Sequence, residues 1–378
     1  MKVAFYQPYL AMWRIQFLSR FIGEADHDVV IYDGGFSGKN DVKSVSNNSV
    51  NFPVRKLRSW SPVLSYRGQR YPFYFSPGLF FSLLKDRPDV VVTEGEINFI
   101  NNISIFIYCR MFQKKYVWWS LGKVRTRKKN ILNRLLDPVV DFLLHRSSCV
   151  MARTTWAKRY YVTVKSVPDC KVIVAPNSMD EKLARSEVDE QLVCDLRGSV
   201  VGHVILYVGA LTANKRPKDL IDAFSILIRK PEYSGCELWL VGDGPEKKVL
   251  IDTARQLGLD NKIKFFGKVF KGVGSYFAAA DVVVVPGLGG LVINHAMIFG
   301  KPVISRLADG TELDLIVDGE TGFLLNDYEA TSMANAIGTA LLPVNLERMS
   351  INARAKVDNY WNIETMMSRV NQCIEYSN

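Results

Sequence analysis

Residues 281–305 read DVVVVPGLGGLVINHAMIFGKPVIS, and this stretch contains the pattern that decides the fold. The run Asp281–Val285 is continuous and valine-rich, which is typical of a strand buried on both faces of a parallel sheet. Leu291–Phe299 is apolar nearly all round and predicts a buried helix, and Pro302–Ser305 predicts the next strand. The stretch therefore predicts a strand–helix–strand unit with glycines at its first turn.

The same alternation of strands and helices extends along all 378 residues. Further strands are predicted in the second half at Val204–Val208, Glu237–Val241 and Lys262–Phe266 and in the first half at Lys2–Tyr6, Asp28–Tyr32, Asp89–Val92, Tyr116–Trp119, Cys149–Ala152 and Lys171–Val174. The length suits two domains. We therefore predict an α/β chain of two Rossmann-like, doubly wound domains, 1–185 and 186–360, which meet in the polar stretch 180–202 and face each other across a cleft.

Composition and cysteine usage are those of an ordinary globular protein of a reducing compartment. Hydrophobic residues make up 48% and charged residues 23% of the chain, so disorder is not expected. The six cysteines are scattered without metal-like spacing, which favours free thiols in a reducing cytoplasm. The apolar run at the N-terminus is too short for a signal peptide, and no stretch approaches the roughly 18–20 apolar residues of a membrane span.

Charge is distributed unevenly along the chain. Residues 1–180 contain 27 Lys and Arg against 13 Asp and Glu, whereas the remainder is slightly acidic. The densest basic run contains Lys123, Arg125, Arg127, Lys128 and Lys129 and precedes an amphipathic helical pattern at 131–144. Such a helix either packs on the sheet with its basic start in solvent or docks on an anionic membrane surface. No nucleic-acid-binding motif accompanies the charge, so nucleic acid is not an expected partner.

A series of short phrases gives the second half a family resemblance. In order, they are Tyr207–Ala210, Asn214–Pro217, Leu240–Glu246, Phe265–Gly267, Gly289–Leu291, His295–Met297, Gly300–Ile304, Gly310–Glu312 and Asp318–Phe323. Together with Ala175–Asn177, this series resembles the retaining glycosyltransferases of family 4, the group 1 glycosyltransferases. The resemblance implies the GT-B fold, a nucleotide-sugar donor bound by the second domain, and a last helix, 361–378, that crosses back to the first domain.

The expected donor site combines glycines with two cations. Gly289 and Gly290 lie between a strand and a helix, where backbone N–H groups can approach an anion. Lys215 and Arg216 follow another strand, so the four residues form a plausible diphosphate cradle; each alone would also fit an ordinary turn with solvated charges. The full donor-binding prediction is Gly209, Lys215, Arg216, Gly242, Gly287, Gly289, Gly290, Leu291, His295 and Glu312. No metal or cofactor is expected, because cationic side chains can neutralise the leaving diphosphate.

Two members of this set have alternative interpretations. His295 is either a core histidine bonded to a backbone carbonyl or a ligand of the nucleotide ribose, the role that the family gives to a glutamate at this position. Glu312 is either a solvated loop carboxylate or a contact to nucleotide or sugar.

The sequence also departs from the family. Of the family's two glutamates eight positions apart, Gly287 replaces the first and His295 the second, and Ala210 stands where an arginine is usual. No histidine follows Tyr116–Trp119, although the first domain of the family often has one there. Glu94 and Glu96, just after the predicted strand Asp89–Val92, are the candidates for a further charged catalytic group, and Glu94 joins Lys215 and Arg216 in the predicted catalytic set.

Two functions follow from these features. The first, implied by the resemblance, is a glycosyltransferase that adds a hexose-like sugar, with retention, to a glycan acceptor, expected to be lipid-linked, in the synthesis of cell-surface polysaccharide such as lipopolysaccharide. This enzyme would be cytoplasmic and peripheral on the inner face of the membrane. The second is a catalytically idle, transferase-like binding subunit, which the departures at Gly287 and Ala210 favour. Donor sugar, base, acceptor, linkage and oligomeric state are not determined by the sequence.

Overall fold

The computed structural model describes residues 1–35, 50–60, 62–66, 69–72, 74–122, 131–269 and 271–376, with the backbone alone at 12, 63–66, 69–72, 97 and 131–135. The predicted basic run Lys123–Lys129 lies outside the described residues. The chain forms two compact units: unit 1 extends to Pro176 and resumes at Glu364, and unit 2 is Asn177–Ile363. The units divide nine residues before the predicted boundary, and the last helix clusters with unit 1.

Unit 1 is a parallel sheet of seven strands in the order β3-β2-β1-β6-β7-β8-β9. The strands are β1 (Lys2–Gln7), β2 (Asp28–Asp33), β3 (Val54–Lys56), β6 (Val90–Glu94), β7 (Lys115–Ser120), β8 (Cys149–Ala152) and β9 (Val172–Val174), and a separate hairpin pairs β4 (Val63–Tyr66) with β5 (Gln69–Pro72). The helices are α1 (Met12–Glu24), α2 (Leu79–Asp86), α3 (Phe99–Met111), α4 (Ile131–Arg146) and α5 (Thr155–Thr163).

Unit 2 is a parallel sheet of six strands in the order β12-β11-β10-β13-β14-β15. The strands are β10 (Val204–Val208), β11 (Glu237–Val241), β12 (Ile263–Gly267), β13 (Val282–Val285), β14 (Val303–Arg306) and β15 (Gly322–Leu325). The helices are α6 (Glu181–Ser186), α7 (Glu190–Arg197), α8 (Pro217–Leu227), α9 (Lys247–Gln256), α10 (Val273–Ala279), α11 (Leu291–Ile298), α12 (Thr311–Leu315), α13 (Ala330–Leu341) and α14 (Pro343–Asn359); α15 is Ile363–Glu375.

Burial on both faces explains why the strands of unit 2 have no polar alternation. Ile205 and Tyr207 of β10 belong to one apolar cluster, whereas Leu206 of β10 and Trp239 of β11 belong to a second cluster. Successive side chains of a strand point to opposite faces, so the two clusters lie on the two sides of the sheet. Helices cover both sides, as the continuous valine-rich runs predicted.

The prediction of two doubly wound parallel sheets is confirmed, and the strands foreseen agree with the structure to within two residues at each end. The stretch 180–202 is more than a polar connection, because it contains α6 and α7. The side chains of Asp180 and Asp189 cap these helices by accepting hydrogen bonds from the backbone N–H groups of Leu183 (3.0 Å) and Leu192 (3.1 Å).

Across the described part of the chain, no helix combines the length and the apolar character needed to cross a lipid bilayer.

Candidate functional site

The strand order of unit 2 creates a crevice between two loops. Strands β10 and β13 are neighbours in the middle of the sheet. Strands β11 and β12 continue outwards on the β10 side, and β14 and β15 continue outwards on the β13 side. The loop after β10, residues 209–216, and the loop after β13, residues 286–290, therefore leave the same sheet edge in different directions. Ligands of doubly wound sheets bind at such a switch point.

Lys215 joins these two loops. Its ammonium group donates a 2.6 Å hydrogen bond to the carbonyl oxygen of Leu288. A Cβ atom on Gly287 would lie 2.6 Å from the carbonyl oxygen of Asn214, so only glycine lets the loops approach this closely. Burial lowers the pKa of Lys215, and the nearby carboxylate of Asp309 opposes this shift. The structure thus fixes a cation, with two further N–H donors, in the crevice.

The helix beside this lysine begins at an uncapped N-terminus. Gly290 precedes α11 with φ 65° and ψ −134°, and no side chain caps the helix. A Cβ atom on Gly289 would lie 2.8 Å from Cγ1 of Val285, so a side chain there would displace the turn. Within the described part of the chain, the backbone N–H groups of the first turn, from Leu291 on, have no side-chain acceptor, and they carry the positive end of the helix dipole.

Arg216 has a different set of partners from its neighbour. It has left-handed backbone geometry (φ 54°), and its Nε donates to Asp219 at 2.7 Å. Its guanidinium lies 4.3 Å from the centre of the Tyr328 ring. The side chain is therefore engaged by α8 and by Tyr328.

Arg306 is a site residue that the sequence analysis missed. It ends β14, is buried, and donates from Nη1 to the same Asp219 oxygen as Arg216. Its Nε and Nη2 are buried without a partner among the described residues. The sequence did contain a signal for Arg306, because a charged residue at the carboxyl end of a buried parallel strand lies at the ligand-binding edge of the sheet. Lys215 and Glu94 were selected on the same ground.

His295 lies inside unit 2, on α11. The residue is 8% exposed, and its ring centre lies 4.4 Å from that of Phe277 and 5.7 Å from that of Phe299. Burial lowers the pKa of His295 to about 4, so the imidazole is neutral at pH 7. Among the described residues its ring has no hydrogen-bond partner, and the carbonyl contact expected of a core histidine is not present.

Glu312 is buried, so the interpretation as a solvated loop carboxylate is wrong. Its carboxylate accepts hydrogen bonds from the backbone N–H groups of Ala308 (2.7 Å) and Gly310 (3.0 Å). Burial raises the pKa of Glu312, although these two bonds oppose the shift. The side chain therefore shapes the loop after β14, whose Asp309 faces Gly290 and Lys215.

Gly209 and Gly242 allow two strand ends to meet. A Cβ atom on Gly242 would lie 1.8 Å from the carbonyl oxygen of Gly209. The N–H of Gly209 in turn donates to the carbonyl of Val241 at 2.9 Å. These glycines support the crevice through close backbone packing.

Glu94 lies in unit 1, at the corresponding switch point between β1 and β6. Its Oε1 accepts hydrogen bonds from Arg14 Nη2 (2.8 Å) and Arg153 Nη2 (3.1 Å). The guanidinium groups of Arg14 and Arg153 lie 3.7 and 5.4 Å from the centre of the Trp119 ring. Both arginines were missed, although Arg153 directly follows the predicted strand that ends at Ala152.

Part of unit 2 is similar to a known protein family. Residues 202–342 match the family described as Glycosyl transferases group 1. N-acetyl-alpha-D-glucosaminyl L-malate synthase of Bacillus anthracis is 25% identical over 62% of this chain and 61% of its own length. The lipopolysaccharide core biosynthesis glycosyltransferase LpsE of Rhizobium meliloti is 31% identical over 35% of this chain and 38% of its own. The chain thus spans less than two thirds of these relatives.

The fold of the whole chain also has solved counterparts. The crystal structure of Anabaena Alr3699/HepE in complex with UDP superposes with a TM-score of 0.75 at 20% identity, covering 98% of this chain and 99% of that one. Residues 202–342 are therefore similar to the group 1 glycosyl transferases, and the overall fold of the chain is GT-B.

Proposed function

We propose that this protein is a glycosyltransferase that moves a sugar from a nucleoside-diphosphate sugar to a glycan acceptor. The observation that carries the proposal is the crevice of unit 2, where the ammonium of Lys215 is fixed on the Leu288 carbonyl beside the uncapped N-terminus of α11. A cation beside a helix N-terminus is suited to a diphosphate. The similar Anabaena protein forms complexes with UDP and with UDP-glucose, which supports a uridine nucleotide here.

The proposed chemistry is breakage of the bond between the anomeric carbon and the diphosphate. Negative charge develops on the departing oxygen, and Lys215 and the N–H groups of α11 stabilise it. We propose that these groups replace a metal ion. The acceptor hydroxyl oxygen bonds to the anomeric carbon from the face that the diphosphate leaves, which retains the anomeric configuration, and the hydroxyl proton passes to the departing diphosphate oxygen. For unit 1 we propose that Glu94, whose Oε2 has no partner among the described residues, accepts a hydrogen bond from a hydroxyl of the acceptor.

A donor panel tests the proposal. The full chain is incubated with UDP-, GDP- and ADP-sugars, with and without a chelator, and release of nucleoside diphosphate is measured. We expect turnover of one class that persists with the chelator and is lost in Lys215→Met. Binding of a nucleotide sugar without its turnover, in the presence of lipid-linked acceptors, would instead support the catalytically idle binding subunit. The crowding around Gly287 favours that alternative, because it leaves no room for a side chain at this position.

We further propose that unit 1 docks on the anionic inner face of a membrane, where a lipid-linked acceptor would lie. In addition to the basic run 123–129, α3 and α4 expose large apolar side chains. They are Ile103, Ile107, Met111, Val139 and Phe142, each at least 36% exposed. Basic residues near an anionic leaflet contribute about 1 kcal/mol each to the binding free energy, and the exposed apolar side chains contact the lipid surface only while these charges hold the protein there.

Vesicle sedimentation tests this docking. We expect the protein to sediment with anionic vesicles at low salt and to be released as salt rises, because screening shortens the reach of each charge. Replacing Lys123, Arg125, Arg127, Lys128 and Lys129 with glutamine should abolish sedimentation but leave donor turnover intact. Sedimentation of the glutamine variant equal to that of the wild type would contradict the proposal.

A further inference from the structure

Unit 1 contains a positively charged cluster that is incompletely neutralised. Arg14 and Arg153 both bind Oε1 of Glu94, and Glu94 is the only carboxylate paired with either in the described part of the chain. Two guanidinium groups on one carboxylate leave a net charge of about +1. A charge held away from water is costly unless an opposite charge compensates it.

The two arginines are also short of hydrogen-bond acceptors. Nη1 of Arg14 and Nε of Arg153 are buried and have no partner among the described residues. The Arg14 side chain is only 4% exposed, and repulsion from Arg153 adds to burial in lowering the pKa of Arg14 to about 9. The cluster therefore has both a surplus charge and unused donors.

The cluster lies where a ligand of unit 1 can reach it. Arg14 is in the first turn of α1 after β1, Glu94 ends β6, and Arg153 follows β8, so all three lie at the carboxyl edge of the sheet. Trp119, near the end of β7, stacks against both guanidinium groups and orients them. The side chains of Arg153 and Glu94 are 14% and 21% exposed, which leaves one side of the cluster open.

We propose that Arg14 and Arg153 form an oxyanion-binding subsite that takes a carboxylate or phosphate group carried by the acceptor. Guanidinium groups donate paired hydrogen bonds to carboxylate and phosphate oxygens, and Trp119 holds two of them at one place. The reference to an acceptor rests on the proposed function, whereas the anion subsite itself does not. The acceptor of this protein would then be an acidic sugar or a phosphorylated glycan.

Calorimetric titration of the full chain tests the subsite with three probes: glucuronate, inorganic phosphate and neutral glucose. We expect at least one anion to bind and glucose not to bind, and the anion that binds identifies the group. Arg153→Gln should weaken anion binding by about tenfold or more, the loss expected for a hydrogen bond between charged groups. Arg159→Gln, at an exposed position on the same unit, should have no effect.

Other outcomes separate this proposal from the proposed function. Equal affinity in the two glutamine variants, no binding of either anion, or equal binding of glucose would overturn the subsite. A lower thermal midpoint of Arg153→Gln with unchanged anion affinity would also overturn it and leave the cluster a structural one. Titration of UDP-glucose on the same samples reports on unit 2 independently: lost UDP-glucose binding with retained anion binding would contradict the function and leave the subsite standing.

Discussion

Lys215 offers the sharpest test of the crevice in unit 2. Lys215→Met keeps most of the apolar side chain but removes the ammonium group that the Leu288 carbonyl holds at 2.6 Å. A hydrogen bond to a charged group contributes about 1.5–3 kcal/mol, so the dissociation constant for UDP should rise roughly 10- to 150-fold. Isothermal titration calorimetry with UDP measures this change.

A matched control separates charge in the crevice from charge in general. Lys218 lies three residues further along, is exposed on α8, and pairs with Asp222 at 2.8 Å. Lys218→Met should bind UDP as the wild type does, because its charge is screened by solvent. Unchanged UDP affinity in Lys215→Met, or equal losses in the two variants, would refute the placement of the diphosphate.

Three further perturbations test the surroundings of the crevice. Folding lowers the pKa of His295 from its ordinary 6.5 to about 4, so as pH falls the unfolded chain is protonated first and the folded state loses stability between pH 6.5 and 4. Urea unfolding should show a loss of about 2 kcal/mol in the free energy of unfolding between pH 8 and pH 5. His295→Leu should not show this loss. An equal pH dependence in both proteins would contradict the buried neutral imidazole. Gly287→Ala places a Cβ atom 2.6 Å from the Asn214 carbonyl oxygen and should lower the free energy of unfolding by about 1–3 kcal/mol. Gly23→Ala is the control, because its Cβ atom meets open space and should not destabilise the fold. Equal thermal midpoints of the two variants would show that the loops can separate freely. Glu312→Ala leaves two buried N–H groups unpaired, which should lower the free energy of unfolding by about 1–3 kcal/mol for each group. Glu312→Gln should lower it less. A fully stable alanine variant with weakened donor binding would show that Glu312 contacts the ligand instead.

The sequence predicts the sheets well because their strands are buried on both faces. Continuous apolar runs such as Val282–Val285 are recognisable as buried strands from the sequence alone. The glycines that follow these runs indicate the turns where two loops approach each other. The helices α13 and α14 were not foreseen. α13 is rich in alanine, threonine and serine, and it acquires its buried face by packing on α8, a contact that local periodicity does not reveal.

Side-chain partners were the part that sequence could not supply. Lys215 and Arg216 are adjacent in the chain, yet one binds a carbonyl in the crevice and the other binds Asp219. That difference depends on the left-handed geometry of Arg216 and on the packing of α8. Arg306 also binds Asp219, and Arg14 and Arg153 both bind Glu94. Each of these three contacts joins residues that are more than fifty positions apart in the chain.

A crystal structure of the full chain with UDP bound would show directly where the diphosphate lies. We expect it in the crevice of unit 2, within hydrogen-bond distance of the Lys215 ammonium and of backbone N–H groups at the start of α11, from Gly290 onwards. A diphosphate bound elsewhere in unit 2, or at the arginine cluster of unit 1, would contradict this placement.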